Sequence, residues 1–239
     1  MLNFKGKLDS KSTLLAKYSY RRFFASWADG MLFTNLRKAL FVTCKHLPTV
    51  MDRQNPLIQQ LKKYGPMSPE AEKDIEQKIN RIVKKKNDHF LKQGQLLTSY
   101  FVVHKGVFRA YIYRNDKEVN VWFGQENQIF GAIMPMYASK PSPENIQFLE
   151  DSEVYAIAFN DLEKLYKLHP ELNLIGRKIA EELCVVLEDR ITSLLTESAA
   201  ERYQSLIKEH PNLINRINLG HIASYVGVTQ ETLSRIRKS

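Results

Sequence analysis

The chain has 239 residues, enough for one large or two modest globular domains, and 44% of them are apolar. Thirty-five Lys and Arg face twenty-six Asp and Glu, a net +9, and the two cysteines, Cys44 and Cys184, are too few for a disulfide framework or a cysteine-held iron–sulfur cluster. They point instead to a reducing cytoplasm, and no run of about eighteen apolar residues reads as a membrane span, because Arg37, Lys38 and Lys45 interrupt the most hydrophobic stretch.

The charge is unevenly spread. Residues 1–50 hold nine basic residues against Asp9 and Asp29, so this segment carries +7 of the total, and overall charge is no argument for a nucleic-acid partner. The segment is basic, aromatic and without sustained period, as in an organellar transit peptide or in sequence lying upstream of a start at Met51. A basic arm that touches DNA is the functional alternative.

From Ser68 the order becomes legible. Ser68 and Pro69 read as N-cap and first turn of a helix, with Ile75, Ile79 and Ile82 as its stripe through Val83. Short runs rich in Val, Ile, Phe, Tyr and Trp follow at Leu96–Val103, Val107–Tyr113 and Glu118–Phe123, predicting hairpins that turn at Lys105-Gly106 and at Arg114–Lys117. Gln128–Ile133, Ile146–Leu149 and Val154–Phe159 continue the pattern, and about seven short strands suggest an antiparallel roll or barrel.

Asp161 is expected to cap Leu162–Leu168, and Pro170 opens a helix reaching about Glu197. Leu172, Ile175, Ile179, Leu183, Val186/Leu187, Ile191 and Leu194 recur at alternating steps of three and four, the seam of a two-stranded coiled coil; the alternative is that the stripe packs on its own roll. Ser198-Ala-Ala-Glu201 is a capping box for a further helix that Pro211 ends.

The last twenty-two residues are the most informative. Ile222 and Val226 share a helical face, Gly227 suits a left-handed turn, and Thr229 can cap a second helix whose Leu233 and Ile236 face back, with small Ala223 at the crossing. The outer face, Gln230, Glu231, Ser234, Arg235, Arg237 and Lys238, is polar enough to meet base edges and phosphates of double-stranded DNA. Six basic residues oppose three acidic ones from Glu201 to Ser239, a modest local excess. An ordinary helical hairpin with a solvated face is the bland alternative.

From about Asn55 onward the chain resembles the Crp/Fnr family of bacterial transcription regulators. The likeness rests on Phe101-Val-Val-His-Lys-Gly-Val-Phe-Arg-Ala-Tyr111, on Leu149-Glu-Asp-Ser-Glu153 and on Val228-Thr-Gln-Glu-Thr-Leu-Ser-Arg-Ile236, with Glu-Thr-Leu-Ser-Arg as its specific part. The resemblance implies an α+β chain: a cyclic-nucleotide-binding-like jelly roll over 51–160, a dimerisation helix region over 161–197 and a DNA-binding helix-turn-helix over 198–239. It implies that Gln230, Glu231 and Arg235 contact bases, while Thr229, Ser234, Arg237 and Lys238 hold the backbone. Gln230 stands where the family usually has Arg, which favours adenine over guanine there. The sequence ends soon after this helix, where family members often continue into a strand or wing, so fewer phosphate contacts are expected.

The likeness fails at the ligand cassette. Cyclic-nucleotide-binding members carry a Gly-Glu pair followed by an Arg-Ala pair, with Glu on the ribose and Arg on the phosphate. Here Gly131 precedes Ala132, no Arg occurs between Phe130 and Asn145, and Lys140 offers only a point charge. Cyclic AMP is therefore not expected to bind in the family's way. Gly131, Ala132, Met134 and Lys140 remain the candidate lining of a pocket for an unidentified small effector, against the plainer reading of Met134, Met136 and Tyr137 as core.

The six histidines show no paired ligand spacing, so neither metal nor cofactor is expected. The chain carries no phosphate loop, no Gly-x-Gly-x-x-Gly, no His-Glu-x-x-His and no Gly-x-Ser-x-Gly, and adjacent Glu181 and Glu182 face different ways on a helix. That argues against an enzyme. The competing class is a dimeric module that binds a ligand or protein without reading DNA.

Overall fold

The computed structural model describes residues 55–238, so the expectations for residues 1–50 lie outside the described residues. Two short helices lead in. The Asn55 side chain accepts from the Leu57 N–H to start α1 (Pro56–Leu61), and Ser68 caps α2 (Pro69–Glu76) through the Ala71 N–H. Helix α2 stops at Glu76 instead of running to Val83. Ile79 and Ile82 belong to β1 (Ile79–Lys84), which pairs along its whole length with β8 (Ser152–Ala158), Ile79 opposite Ile157 and Ile82 opposite Val154. A sheet edge that satisfies a strand's backbone groups outweighs a stripe that fits a helix equally well.

Strands β2 (His89–Leu91), β3 (Ser99–Lys105), β4 (Phe108–Arg114), β5 (Lys117–Gly124), β6 (Ile129–Gly131), β7 (Asn145–Phe148) and β8 form two four-stranded antiparallel sheets, ordered β1-β8-β3-β6 and β2-β7-β4-β5. The chain is thus α+β, built on an antiparallel roll. Of the two hairpins expected, β4–β5 is one: Asn115 and Asp116 both take positive φ in a two-residue turn that pairs Arg114 with Lys117. Lys105-Gly106 is a crossover. There β3 leaves one sheet and β4 enters the other, and Gly106, at φ 115°, has no room for a side chain because a Cβ would lie 2.0 Å from Ser152 Oγ. Ile133 ends no strand but begins a helix that periodicity missed, α3 (Ile133–Ala138), closed by Ser139 in the left-handed region.

Aromatic rings fill the interior of the roll. Phe90 lies 4.4 Å from Phe101, Phe108 lies 4.7 Å from Phe130, and Phe148 packs edge-on to Phe108, with Leu91, Val103, Ile146 and Val154 around them. Phe101, Phe108 and Phe148 are wholly buried, each worth roughly 2–3 kcal/mol of transfer free energy.

Helix α4 (Phe159–Leu168) starts at Ala158, without a side-chain cap. Asp161 sits inside its first turn, where it favours the helix dipole and pairs with Lys164 at 3.0 Å, and is not the cap. Helix α5 (Pro170–Thr196) has 27 residues and spans about 40 Å. Its stripe divides. Leu172 and Ile175 are buried in a core shared with Leu57, Ile75, Val102, Ile157, Leu162 and Leu165, and Ile179 packs against the same core. Beyond Ile179 the stripe splits: Leu183 and Val186 are half-buried, whereas Leu187 at 44%, Ile191 at 58% and Leu194 at 49% are exposed. Packing on the roll-side core therefore accounts for Leu172, Ile175 and Ile179 of the expected seam, and Leu187, Ile191 and Leu194 are left exposed. Among the described residues no helix is long and apolar enough to cross a membrane.

Candidate nucleic-acid interface

Helix α6 (Ala199–Glu209) opens on the Ser198/Glu201 capping box, with both reciprocal bonds formed. The next helix, α7 (Leu219–Val226), is capped by Asn218, which accepts from the His221 N–H at 2.8 Å. It closes at Gly227, φ 83°, where the Val228 N–H returns to the Ala223 carbonyl at 3.0 Å. Thr229 then caps α8 (Gln230–Ile236) through the Thr232 N–H. Ile222, Ala223, Val226 and Leu233 are all buried, and Val228 and Ile236 pack against them, so each apolar position singled out in the sequence faces the inside of this pair of helices.

The opposite face of α8 is open. Thr229, Gln230, Glu231, Arg235, Arg237 and Lys238 are exposed, and Ser234 is half-buried. The Glu231 carboxyl is held below its ordinary range by backbone N–H at the helix start and by the Thr229 hydroxyl, so it is an acceptor at neutral pH. Arg235 reaches Thr232 Oγ1 at 3.3 Å, a contact easily exchanged, and Thr232 is a polar member of this face that sequence reasoning left out. Gln230 leans back, its Oε1 3.0 Å from where a Cβ on Gly220 would stand.

This helical unit packs directly on the roll. Val107 and Phe123 of the roll share a core with Tyr203, Leu206, Leu213, Ile217 and Ile222. Helix α7 covers the free edge of β5: Ser224 Oγ accepts from the Asn120 N–H and donates to the Glu118 carbonyl, each at 3.0 Å, satisfying two edge groups that lack a neighbouring strand. Arg109, buried at 4% exposure, bonds Glu118 at 2.5 Å and Gln147 at 2.8 Å and donates to His221 Nδ1 at 3.3 Å. Burial, then the Arg109 charge, lowers the His221 pKa, which fits a neutral acceptor. Arg216 grips Glu126 with two bonds of 2.7 Å and also pairs with Glu150; Arg216 pulls the Glu126 carboxyl down to about 2. None of these polar contacts is marked by periodicity, since lone charged residues on strands read as solvated.

The ligand cassette is differently built. Ala132 is buried in the aromatic core, and a Cβ on Gly131 would come within 2.6 Å of Met136 Cε, so neither presents a polar group. Met134 and Lys140 are exposed, and Gly131 is half-buried. Met136 is buried, and Tyr137 is exposed and bonds the Tyr100 hydroxyl. Ser142 and Asn145 occupy the cassette's inner turn; the Gln93 N–H bonds Asn145 Oδ1 at 3.0 Å, and the Asn145 amide nitrogen has no partner among the described residues. Burial raises the Glu144 carboxyl, which favours its neutral form. An open groove of about 350 Å³ lies outside the roll, between Tyr137 of α3, Glu163 and Lys167 of α4, and Arg177 of α5. Among the described residues no group of three or more His, Cys, Asp or Glu could hold a metal ion.

Residues 81–169 match the family model described as the cyclic nucleotide-binding domain. No curated protein matches the chain. Among solved structures, FixK2 from Bradyrhizobium japonicum is similar at 20% identity over 67% of this chain and 83% of its own, with a TM-score of 0.57. A putative transcriptional regulator of the Crp/Fnr family from Eubacterium rectale is similar at 15% identity over 74% and 87%, TM-score 0.59. The global regulator CLP of Xanthomonas campestris, described as responsive to c-di-GMP, is similar at 14% identity over 72% and 90%, TM-score 0.57. Residues 81–169 therefore resemble the cyclic nucleotide-binding domain, and the described chain has the fold of Crp/Fnr-type transcription regulators.

Proposed function

We propose that the protein is a homodimeric DNA-binding transcription regulator that reads an inverted-repeat operator without control by cyclic AMP, and that it is not an enzyme. The observation that carries this reading is α8 itself: its apolar side is buried against α7 while Gln230, Glu231 and Arg235 stand exposed on the other. In this reading the roll spans 51–160, the dimerisation helix region 161–197 and the DNA-binding unit 198–239.

The exposed part of α5 supplies the pairing surface. Ala180, Cys184, Leu187, Ile191 and Leu194 follow steps of four and three along one line, and a second copy in parallel register would bury them. Two α8 helices then enter successive major grooves about 34–36 Å apart. Arg235 grips O6 and N7 of a guanine, Glu231 accepts from a cytosine N4, and Gln230 swings off Gly220 to read an adenine. Thr229, Ser234, Arg237 and Lys238 hold phosphates and set register.

Cyclic AMP is not the effector in this reading, because Ala132 offers the ribose no acceptor and no Arg stands between Phe130 and Asn145 to pair with the phosphate.

Selection from randomised duplex DNA, followed by affinity measurement across a salt series, tests the reading. The expected result is an inverted repeat whose affinity falls steeply with salt. Recovery of no motif by folded protein, with no salt-dependent binding, overturns it in favour of a module that binds a ligand or protein.

A further inference from the structure

Helix α7 ends one turn before the recognition helix, and its last carbonyls are held by two arginines from other elements. Arg190, on α5, donates to the Tyr225 carbonyl at 2.6 Å, and its guanidinium lies 3.8 Å above the centroid of the Tyr225 ring. The Tyr225 ring also packs 5.2 Å from that of Phe123 on β5. Arg202, on α6, bonds the Val226 carbonyl through Nε at 3.0 Å and Nη2 at 2.9 Å, and its Nη1 bonds the Glu197 carbonyl at the end of α5. The carbonyl end of a helix is partly negative and lacks backbone partners, so guanidinium groups suit it well.

The location of Arg190 gives these contacts their consequence. The contacts of Arg109, Ser224 and Arg216 tie the helical unit to the roll, and the roll-side core takes the N-terminal part of α5, through Leu172, Ile175 and Ile179. Arg190 adjoins Leu187 and Ile191, the exposed part of α5. It ties the turn before α8 to the segment that would lie on the two-fold axis.

We propose that Arg190 is a positioning residue for DNA recognition: by fastening the end of α7 to α5, it fixes the recognition helix relative to the dimer axis and thereby sets the spacing between half-sites. The inference rests on the dimeric DNA-reading function argued above. Lysine in place of Arg190 cannot lie flat on the ring while bonding the carbonyl, whereas phenylalanine in place of Tyr225 keeps both ring and carbonyl.

The test uses the full chain and a set of duplexes that carry the selected half-site twice, differing only in spacer length. Wild-type protein should prefer one spacer sharply. R190A should keep the half-site motif, lose roughly tenfold in affinity at the best spacer, and discriminate less between spacers one base pair longer or shorter. Y225F should behave as wild type. A purely structural role would instead lower binding to every duplex, single half-sites included. R190Q, which changes volume less, carries the same comparison should R190A fail to fold. A folded dimer of either Arg190 variant that keeps the wild-type spacer profile overturns this inference alone. Wild-type protein with no spacer preference overturns the dimeric reading and this inference together.

Discussion

The ligand cassette and the α7–α8 unit of this chain share a likeness of fold to Crp/Fnr-type regulators but differ in the polar groups they present. In the cassette the backbone shape persists: Gly131, a short helix and a left-handed Ser139 lead into β7. Its polar machinery does not, since Ala132 is buried among aromatic rings. In α7–α8 both layers persist, the apolar seam inside and the polar face outside. Backbone shape is maintained by many interchangeable apolar contacts, whereas binding depends on a few polar atoms that one substitution removes. Likeness of the roll to a nucleotide-binding domain is thus weak support for a nucleotide ligand, and the exposed polar face of α8 is stronger support for the proposed DNA contact.

The comparison breaks most readily at α5. Replacing Leu187 and Ile191 by Asp should abolish the dimer and, with it, roughly a hundredfold or more of operator affinity, because the second recognition helix no longer binds as part of the same molecule. Light scattering that still reports a folded dimer would sink the proposed pairing surface. A complementary check uses Cys184, which is exposed on the pairing line. Mild oxidation of a Cys44→Ser chain should give a disulfide-linked dimer that survives denaturing electrophoresis until reducing agent is added, and Cys184→Ser should prevent the crosslink.

If the roll now serves as scaffold, its aromatic filling should matter for stability first. Phe108→Ala is expected to cost about 3–5 kcal/mol in urea unfolding, since Phe108 contacts Phe101, Phe130 and Phe148 and is fully buried. A loss below about 1 kcal/mol would mean that the interior is loosely packed and open to a ligand.

Next in size is Arg235→Ala, expected to cost about 1–3 kcal/mol per half-site and to relax preference at one base pair. Lys238→Ala should weaken all sequences alike and flatten the salt slope. An unchanged motif and affinity in a folded Arg235→Ala dimer would show that α8 is not the reading helix.

Docking of the unit on the roll has an acid signature. The Glu126 carboxyl stands at about 2 in the folded chain against 4.5 ordinarily, so its contribution is complete above about 4.5 and disappears as pH falls through about 2. Glu126→Gln should therefore lose less stability than wild type between about pH 6 and pH 3, read from urea midpoints. Equal acid sensitivity in both would mean that the Arg216 pairing does not secure the docked unit.

The smallest expected effect is none. Cyclic AMP should give no heat of binding in calorimetry and leave operator affinity unchanged. Micromolar binding that disappears on substitution between Gly131 and Asn145 would restore the cassette to a sensing role.

Much of this was legible in the chain by itself. Gly227 and Thr229 turn and cap the terminal helices through local geometry and hydrogen bonds, and the 3.6-residue period buries Ile222, Val226 and Leu233 together, so a short segment carries its own instructions. The Ser198/Glu201 box and the β4–β5 hairpin were readable for the same reason: every partner lies within a few residues. Tertiary structure alone decided the rest. Ile79 and Ile82 fit a helix or a strand until β8 supplies an edge; α3 is too short to show a period; and Lys105-Gly106 resembles a hairpin turn until the two sheets separate. Only in the folded chain do Leu172 and Ile175 leave the expected seam for the roll's core, and only there do Arg109, Arg190 and Arg216 find partners between 35 and 112 residues away. A local pattern reports which face of an element is apolar, whereas what covers that face, and which distant carboxylate or carbonyl meets a charge, is determined by packing across the chain.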